Sequence, residues 1–149
     1  MVSKKYARGK SLELWLVNEL RKRNIMAYRI SGSGMVRCDD FSFYGVADVI
    51  AYASNVSKPI IFQCKNWKCK FPELRSDEKR RIEELMKHHN VIVCFCYKYR
   101  GKLYFATYEL RKKQMYFESL DDLLKYICNP SNAPKPKRLI NIKRIADKV

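Results

Sequence analysis

Apolar and polar residues recur with two different periods along the chain, and each change of period marks a new element. A spacing of three to four residues predicts a helix from about Ala7 to Arg23, and Met26–Ile30 reads as a short strand. The segment SGSG at residues 31–34 is typical of a loop, and further short strands are expected up to Tyr44. The first third of the chain is thus a helix followed by strands.

The middle of the chain is predicted to contain two strands followed by a helix. The segments VADVIAYA (46–53) and PIIFQCKN (59–66) are predicted to be two strands that the Ser54–Lys58 turn joins into an antiparallel hairpin. A helix is expected over about Ser76–His88, with Ser76 as its N-cap and two acidic residues in its first turn.

The last third predicts a hairpin, a short helix and a tail. NVIVCFCYKY and KLYFATYEL are aromatic and β-branched strands around a turn at Arg100 and Gly101, and SLDDLLKYI is a helix. From Asn129 the chain becomes a basic, Pro-containing linker and then LINIKRIADKV, a mobile tail, a docking strand or a DNA-gripping arm. We therefore predict a domain over 1–128, a linker and tail over 129–149, and a mixed α/β sandwich with a central sheet.

Composition and charge restrict the class of protein. The chain has 149 residues and is 47% hydrophobic, which suits one folded domain with a substantial core. Its net charge of +16 is a self-repulsion that a polyanionic partner would relieve, and nucleic acid is the first candidate. An anionic membrane surface is the alternative, but no apolar run approaches the roughly 20 residues of a spanning helix. We expect an intracellular protein without a membrane partner.

The six cysteines do not have the spacing of a metal site, since no C-x-x-C pair occurs. An intracellular setting keeps ordinary thiols reduced, so we expect small buried or half-buried thiols. A structural disulfide stays open if the source is a hyperthermophile. The cysteines are Cys38, Cys64, Cys69, Cys94, Cys96 and Cys128.

Polar residues interrupt the strand PIIFQCKN at two positions of one face. Because side chains alternate along a strand, Gln63 and Lys65 share that face. In a hairpin centred near Val56, Asp48 is expected opposite Lys65, and Ile50 opposite Gln63. The three polar groups then lie within reach of one another, either as a functional site or as a cross-strand ion pair with a polar neighbour.

The first helix places a carboxylate on its apolar side. At about 100° per residue, Leu16, Val17 and Leu20 lie within about 60° of Glu13, on a stripe that also includes Gly9. A carboxylate in such a stripe is costly without a partner. Glu13 is therefore expected either to pair with an Arg or Lys, or to face a metal or a functional cleft.

Oxygen ligands and a lysine together suggest hydrolysis of a phosphodiester. Glu13, Asp48 and Gln63 offer the hard oxygen atoms that Mg²⁺ prefers. Lys65 beside them would orient or deprotonate the attacking water, or stabilise charge in the transition state.

These residues carry a resemblance to the PD-(D/E)xK nuclease superfamily. Glu13, the serine-glycine loop, Asp48 ending VAD and the segment QCK at 63–65 occur in the family order, with fourteen residues between Asp48 and Gln63. RGKSLELWLVNELRKRNIMAYRISGSG is similar to the opening of the archaeal-type Holliday junction resolvases, and the match covers about residues 5–110. The resemblance implies a restriction-endonuclease-like central mixed sheet flanked by helices, a homodimer, and an archaeal or archaeal-virus origin.

The resemblance also implies roles for individual residues. Glu13, Asp48 and Gln63 would be metal ligands for Mg²⁺ or Mn²⁺, and Lys65 and Ser33 would join them in catalysis. The implied DNA contacts are Arg8, Lys10, Arg29, Ser31, Ser33, Arg37, Lys68 and Lys70.

Two positions depart from the family pattern. Ala47 stands where a proline usually precedes the aspartate, and Gln63 replaces the second acid. QCK resembles the Mrr-type restriction nucleases of the same superfamily, where glutamine accompanies activity. Weaker metal binding or a preference for Mn²⁺ would follow from the lost negative charge.

Three functions are compatible with these patterns. The first is a metal-dependent, structure-selective DNA endonuclease that resolves four-way junctions. The second is a restriction-like or repair endonuclease acting on another DNA substrate, and the third is a non-catalytic DNA- or RNA-binding domain. A resolvase must cut two symmetry-related strands, so a homodimer is expected. The aromatic hairpin at residues 93–108 would supply its apolar contact, unless those side chains fill the core.

Overall fold

The computed structural model describes residues 4–30, 47–66, 74–109, 115–128 and 137–138, with side chains from residue 11 to residue 128 of these ranges. The helices are α1 (Lys4–Lys22), α2 (Ser76–His88) and α3 (Leu120–Cys128). The strands are β1 (Met26–Arg29), β2 (Val49–Tyr52), β3 (Ile60–Lys65), β4 (Ile92–Tyr99), β5 (Lys102–Tyr108), β6 (Met115–Phe117) and β7 (Lys137–Arg138). None of the helices in these ranges is long and apolar enough to span a membrane.

The strands lie in one sheet in their order along the chain, from β1 to β7. The pairing of β3 with β4 is parallel, and the other pairings are antiparallel. A parallel pair requires a crossover, and here the crossover contains α2. The predicted α/β class with a mixed central sheet is therefore confirmed.

Helices cover the sheet on both faces. Leu16 and Leu20 of α1 and Leu123 of α3 belong to one core cluster with inward residues of the strands. Ile82 and Leu85 of α2 belong to the other cluster, on the opposite face. The chain is thus a three-layer α/β/α sandwich, and its core lies on both sides of β3 and β4.

The predicted first helix is confirmed, although it begins earlier than expected, at Lys4. It ends in a Schellman motif, because the N–H of Asn24 donates to the Arg21 carbonyl (3.0 Å) and that of Ile25 donates to the Leu20 carbonyl (3.1 Å). Asn24 takes the left-handed conformation, with φ 60°. Ile25 and Leu20 are both buried, so this cap fixes where β1 leaves the helix.

The β4–β5 hairpin fills the core on both of its faces. Phe95 and Tyr97 are buried in the α2 cluster, whereas Cys94 and Phe105 are buried in the α1 and α3 cluster. Of the two alternatives for this hairpin, a contact surface for a dimer or part of the core, the structure shows the core, because helices cover both faces of this strand pair. Large apolar side chains are instead exposed at Leu14, Met26, Tyr28 and Tyr52.

Three further expectations concern the start of α2, the segment after residue 129 and the cysteines. The N-cap of α2 is Arg75, without a side-chain cap bond, so the assignment of Ser76 as N-cap is wrong. The pairing of β7 with β6 makes residues 137–138 a docked strand, and the division of the chain at residue 129 stays a prediction. Cys94 and Cys96 are free and buried, and Cys64 and Cys128 are free and half-buried, as expected. Cys38 and Cys69 lie outside the described residues.

The turn between β4 and β5 predicts how much stability is lost when Gly101 is substituted. Arg100 and Gly101 both have positive φ, 50° and 78°, as a two-residue type I′ hairpin turn requires. We expect Gly101→Ala to lower the free energy of unfolding by about 1 to 2 kcal/mol, because a Cβ disfavours this conformation although nothing lies within 4 Å of it. Gly101→Asn, which tolerates positive φ, should lose less than half as much. Urea unfolding measures both, and equal losses would contradict the backbone explanation.

Candidate active site

Asp48 lies between β1 and β3, directly before β2 begins. Its backbone N–H donates to the Phe62 carbonyl (2.9 Å), and its carbonyl accepts from the N–H of Ile30 (2.9 Å). The carboxylate atom Oδ2 accepts a further bond from the backbone N–H of Cys64, at 2.8 Å. These bonds fix the orientation of the carboxylate at one end of the β2–β3 ladder.

The ladder of β2 and β3 corrects the predicted register, because Ile50 pairs with Ile61 and not with Gln63. Asp48 lies just before the paired residues, and its N–H donates to the carbonyl of Phe62, which the next residue of β2 already faces. Two residues opposite one are typical of a β-bulge, so Asp48 does not continue the ladder to the predicted pairing with Lys65. Its bonds to the backbone of Phe62 and Cys64 place it beside Gln63, and Lys65 lies two residues further along β3 on the same face as Gln63.

Gln63 carries a buried oxygen at this position. Its Oε1 has no hydrogen-bond partner among the described residues. A buried amide oxygen without a partner costs about 1 to 3 kcal/mol, so this oxygen is available to a water or to a cation. The site thus has one oriented carboxylate and one unused amide oxygen side by side.

Lys65 ends β3 and contacts the helix of the opposite layer. Its Nζ donates to Oε2 of Glu78, in the first turn of α2. The side chains of Lys65 and Glu78 are 22% and 11% exposed, so the ion pair is largely shielded from water. The lysine therefore lies between a strand carboxylate, Asp48, and a helix carboxylate.

Glu13 has a cationic partner. Arg29 of β1 donates from Nε to Oε2 of Glu13 at 2.6 Å, and their side chains are 18% and 16% exposed. Of the two expectations for this carboxylate, the structure shows the ion pair. Glu13 still lies near enough to Asp48 to affect its ionisation, so α1 borders the site.

Burial raises the pKa of Asp48 to about 6. The hydrogen bond from Cys64 opposes this rise, the negative charge of Glu13 adds to it, and the charges of Lys65 and Arg29 reduce it. The carboxylate therefore titrates close to neutral pH, as is common where a protein keeps a charge ready for function.

The donor set fits a hard divalent cation. Asp48 offers Oδ1 and Gln63 offers Oε1, and Mg²⁺ is usually bound through one or two protein oxygens while it keeps several waters. Within the ranges described, no three His, Cys, Asp or Glu side chains gather around a common point. A two-ligand magnesium site is the arrangement that suits these residues.

The remaining predicted site residues are placed as follows. Arg29 is described and pairs with Glu13, whereas Arg8 and Lys10 belong to α1 with side chains that are not described. Ser31, Ser33, Arg37, Lys68 and Lys70 lie outside the described residues.

Sequence reasoning missed Glu78 and Arg75. Arg75 is exposed and donates from Nε to Oε1 of Glu78 at 3.1 Å, beside the lysine. The signal that could have found them is the parallel pairing of β3 and β4, because the crossover helix then begins near the end of β3 where Lys65 lies.

The comparisons with known proteins concern the fold. No protein-family model and no curated protein matches the chain. The solved structure of Archaeoglobus fulgidus Hjc, a Holliday junction resolvase from an archaeal hyperthermophile, matches with a TM-score of 0.51 and 19% identity over 74% of this chain and 88% of that chain. This likeness is one of fold, and it confirms the predicted restriction-endonuclease-like fold class.

The titration of Asp48 predicts a pH-dependent gain of stability in Asp48→Asn. A pKa near 6 in the folded protein, above the ordinary value near 3.9, means that folding favours the protonated acid, so stability falls as pH rises from about 4 through 6. In metal-free buffer at pH 8 the variant should be more stable by about 1 to 3 kcal/mol, and the gain should vanish near pH 4.

Thermal unfolding with a chelator at both pH values measures this difference. Asp121→Asn is the control of opposite sign, because Arg23 lowers the pKa of Asp121 and the substitution should not stabilise at pH 8. A gain in Asp48→Asn that is the same at pH 4 and pH 8 would contradict the assigned titration.

Proposed function

We propose that the protein is a metal-dependent, structure-selective DNA endonuclease that resolves four-way junctions by phosphodiester hydrolysis. The observation that carries the proposal is the oriented Asp48 carboxylate, which is bonded to the backbone of β3 on either side of Gln63. The amide oxygen of Gln63 has no partner among the described residues, and Lys65 lies two residues further along β3. The likeness of the fold to Hjc, which is described as a Holliday junction resolvase, supports this class of substrate.

The chain's own residues divide the work. Asp48 and Gln63 would hold Mg²⁺, or Mn²⁺ in view of the neutral amide, and the ion would activate water and neutralise phosphate charge. Lys65 donates hydrogen bonds toward the reacting phosphate and stabilises the charge that builds on it. Glu13 keeps Arg29 against the site as an ion pair, which leaves it at most an indirect contact with the metal.

Substrate binding rests on the positive surface. Exposed basic side chains occur on all three helices and on the β4–β5 hairpin, including Lys22, Arg75, Lys79, Lys98 and Lys125. Contacts with phosphates give affinity without selecting a DNA shape, so selectivity for a junction comes from how two sites are spaced. Ser31 and Ser33 are proposed contacts of the scissile phosphate.

A nuclease acting on another DNA substrate is the second candidate, because the neutral Gln63 resembles the Mrr-type motif. A non-catalytic nucleic-acid-binding domain is the third. A synthetic four-way junction compared with linear duplexes of the same arms, with Mg²⁺, Mn²⁺ or a chelator, separates all three. Preference for the junction, duplex cleavage or binding without cleavage are their respective results.

Asp48→Asn and Lys65→Ala should each reduce cleavage of the junction by at least about 100-fold, because each removes one group that acts in the chemical step. Binding should stay within about threefold, since it rests on many Lys and Arg residues. Single-turnover cleavage and gel-shift titration measure the two quantities. Glu84→Gln changes an exposed side chain of α2 outside the site and outside the basic surface, and it should retain cleavage. Full activity in Asp48→Asn would overturn the assignment.

The proposal also includes a homodimer. Each chain has one Asp48, Gln63 and Lys65 set, whereas resolution needs two cuts in symmetry-related strands. Light scattering should therefore report about twice the 17.7 kDa chain mass, and one dimer should bind one junction. A strict monomer that nicks linear duplex as readily as junctions would reject the resolvase and favour the second candidate.

A further inference from the structure

Glu78 is the one acidic side chain of α2 that the described structure shows in contact with Lys65. It is the third residue of α2, and the parallel pairing of β3 with β4 brings that end of the helix beside the end of β3. Glu78 was not among the site residues predicted from the sequence. The nuclease reading of Asp48, Gln63 and Lys65 therefore leaves a shielded carboxylate at the site without a role.

Both oxygens of Glu78 are engaged. Oε2 accepts from Lys65, and Oε1 accepts from Arg75 at 3.1 Å. Burial raises the pKa of Glu78, but the hydrogen bond and charge of Lys65 and the bonds from Arg75 outweigh burial. The pKa is therefore lowered overall, and Glu78 is held ionised. With both oxygens bound to cations, Glu78 is an anionic partner of Lys65 and not a ligand for Mg²⁺.

The negative charge of Glu78 matters because Gln63, the residue beside Lys65 on β3, is neutral. Gln63 and Lys65 lie two positions apart on one strand face, about 7 Å between their Cβ atoms, so an acid at position 63 would lie beside the ammonium. The amide of Gln63 has no charge to offer. Lys65 then has Asp48 on the strand side and would lack a fixed anchor if Glu78 did not reach it from α2.

We propose that Glu78 is a positioning residue, which holds the Lys65 ammonium in place and supplies the negative charge that Gln63 does not. This role rests on the proposed nuclease function. The alternative is that Glu78 only stabilises the start of α2, where a carboxylate is favourable in any protein. A structural role affects stability, whereas a positioning role affects turnover and depends on the residue at position 63.

The first arm of the test is kinetic. At saturating Mg²⁺, Glu78→Gln should lower kcat on a four-way junction about 10- to 100-fold with KM within about twofold, because misplacing one reacting group has effects of this size. Glu84→Gln makes the same change at an exposed position of α2 and should leave kcat unchanged. Glu78→Asp keeps the negative charge at the start of α2 but shortens the side chain that contacts Lys65. It replaces Glu78→Gln in this test if Glu78→Gln does not fold.

The second arm is the dependence on position 63. Gln63→Glu places a carboxylate on the strand face of Lys65, so in that background Glu78→Gln should lower kcat less than about threefold. The same loss of kcat in both backgrounds would overturn the proposal, since a structural carboxylate is indifferent to position 63.

The third arm needs no activity. In protein labelled with ¹⁵N-lysine, the ammonium resonance of Lys65, assigned through Lys65→Arg, should be present in the parent and in Glu84→Gln and lost in Glu78→Gln. A parent that cleaves no DNA overturns the nuclease function and the positioning role with it, whatever the resonance shows. A parent that cleaves, with Glu78→Gln as active as Glu84→Gln, overturns the positioning role alone.

Discussion

The parallel pairing of β3 with β4 is the constraint on which the rest of the molecule depends. These strands lie at the middle of the sheet, and their inward residues, such as Phe62 and Phe95, are fully buried. Antiparallel neighbours can be joined by a tight turn, but a parallel neighbour requires the chain to travel back along the sheet. That return path is α2, which covers one face and leaves its first turn beside the end of β3.

The site draws on the same constraint. Asp48 precedes the β2–β3 ladder and is bonded to the backbone of Phe62 and Cys64, so it lies beside Gln63 through contacts that are local to this hairpin. The partner of Lys65 comes only through the crossover. The candidate site therefore combines two kinds of contact, a local one between Asp48 and β3 and a long-range one between Lys65 and Glu78. Its charges come from α1, the strands and α2.

Period and alternation sufficed to predict much of this fold. The helices, the hairpins and the common face of Gln63 and Lys65 follow from side-chain direction, which repeats with the period of each element. The position of Asp48 along β3 did not follow, because alternation does not fix the register of a hairpin or where its ladder is interrupted. A cationic partner for Glu13 was one of two expectations, but neither its identity as Arg29 nor the contact of Glu78 with Lys65 was predicted, since both depend on how the layers pack and not on a local pattern.

Within the part of the chain that the structure describes, the sheet ends at β7. β7, the strand beyond β6, is two residues long, and both of its residues, Lys137 and Arg138, are basic. An unpaired strand edge is a template on which another chain can add itself, and short, positively charged edges are a common protection against such addition. The segment of Lys137 and Arg138 therefore protects the edge of β6. A chain shortened before residue 137 would expose that edge and allow edge-to-edge aggregation.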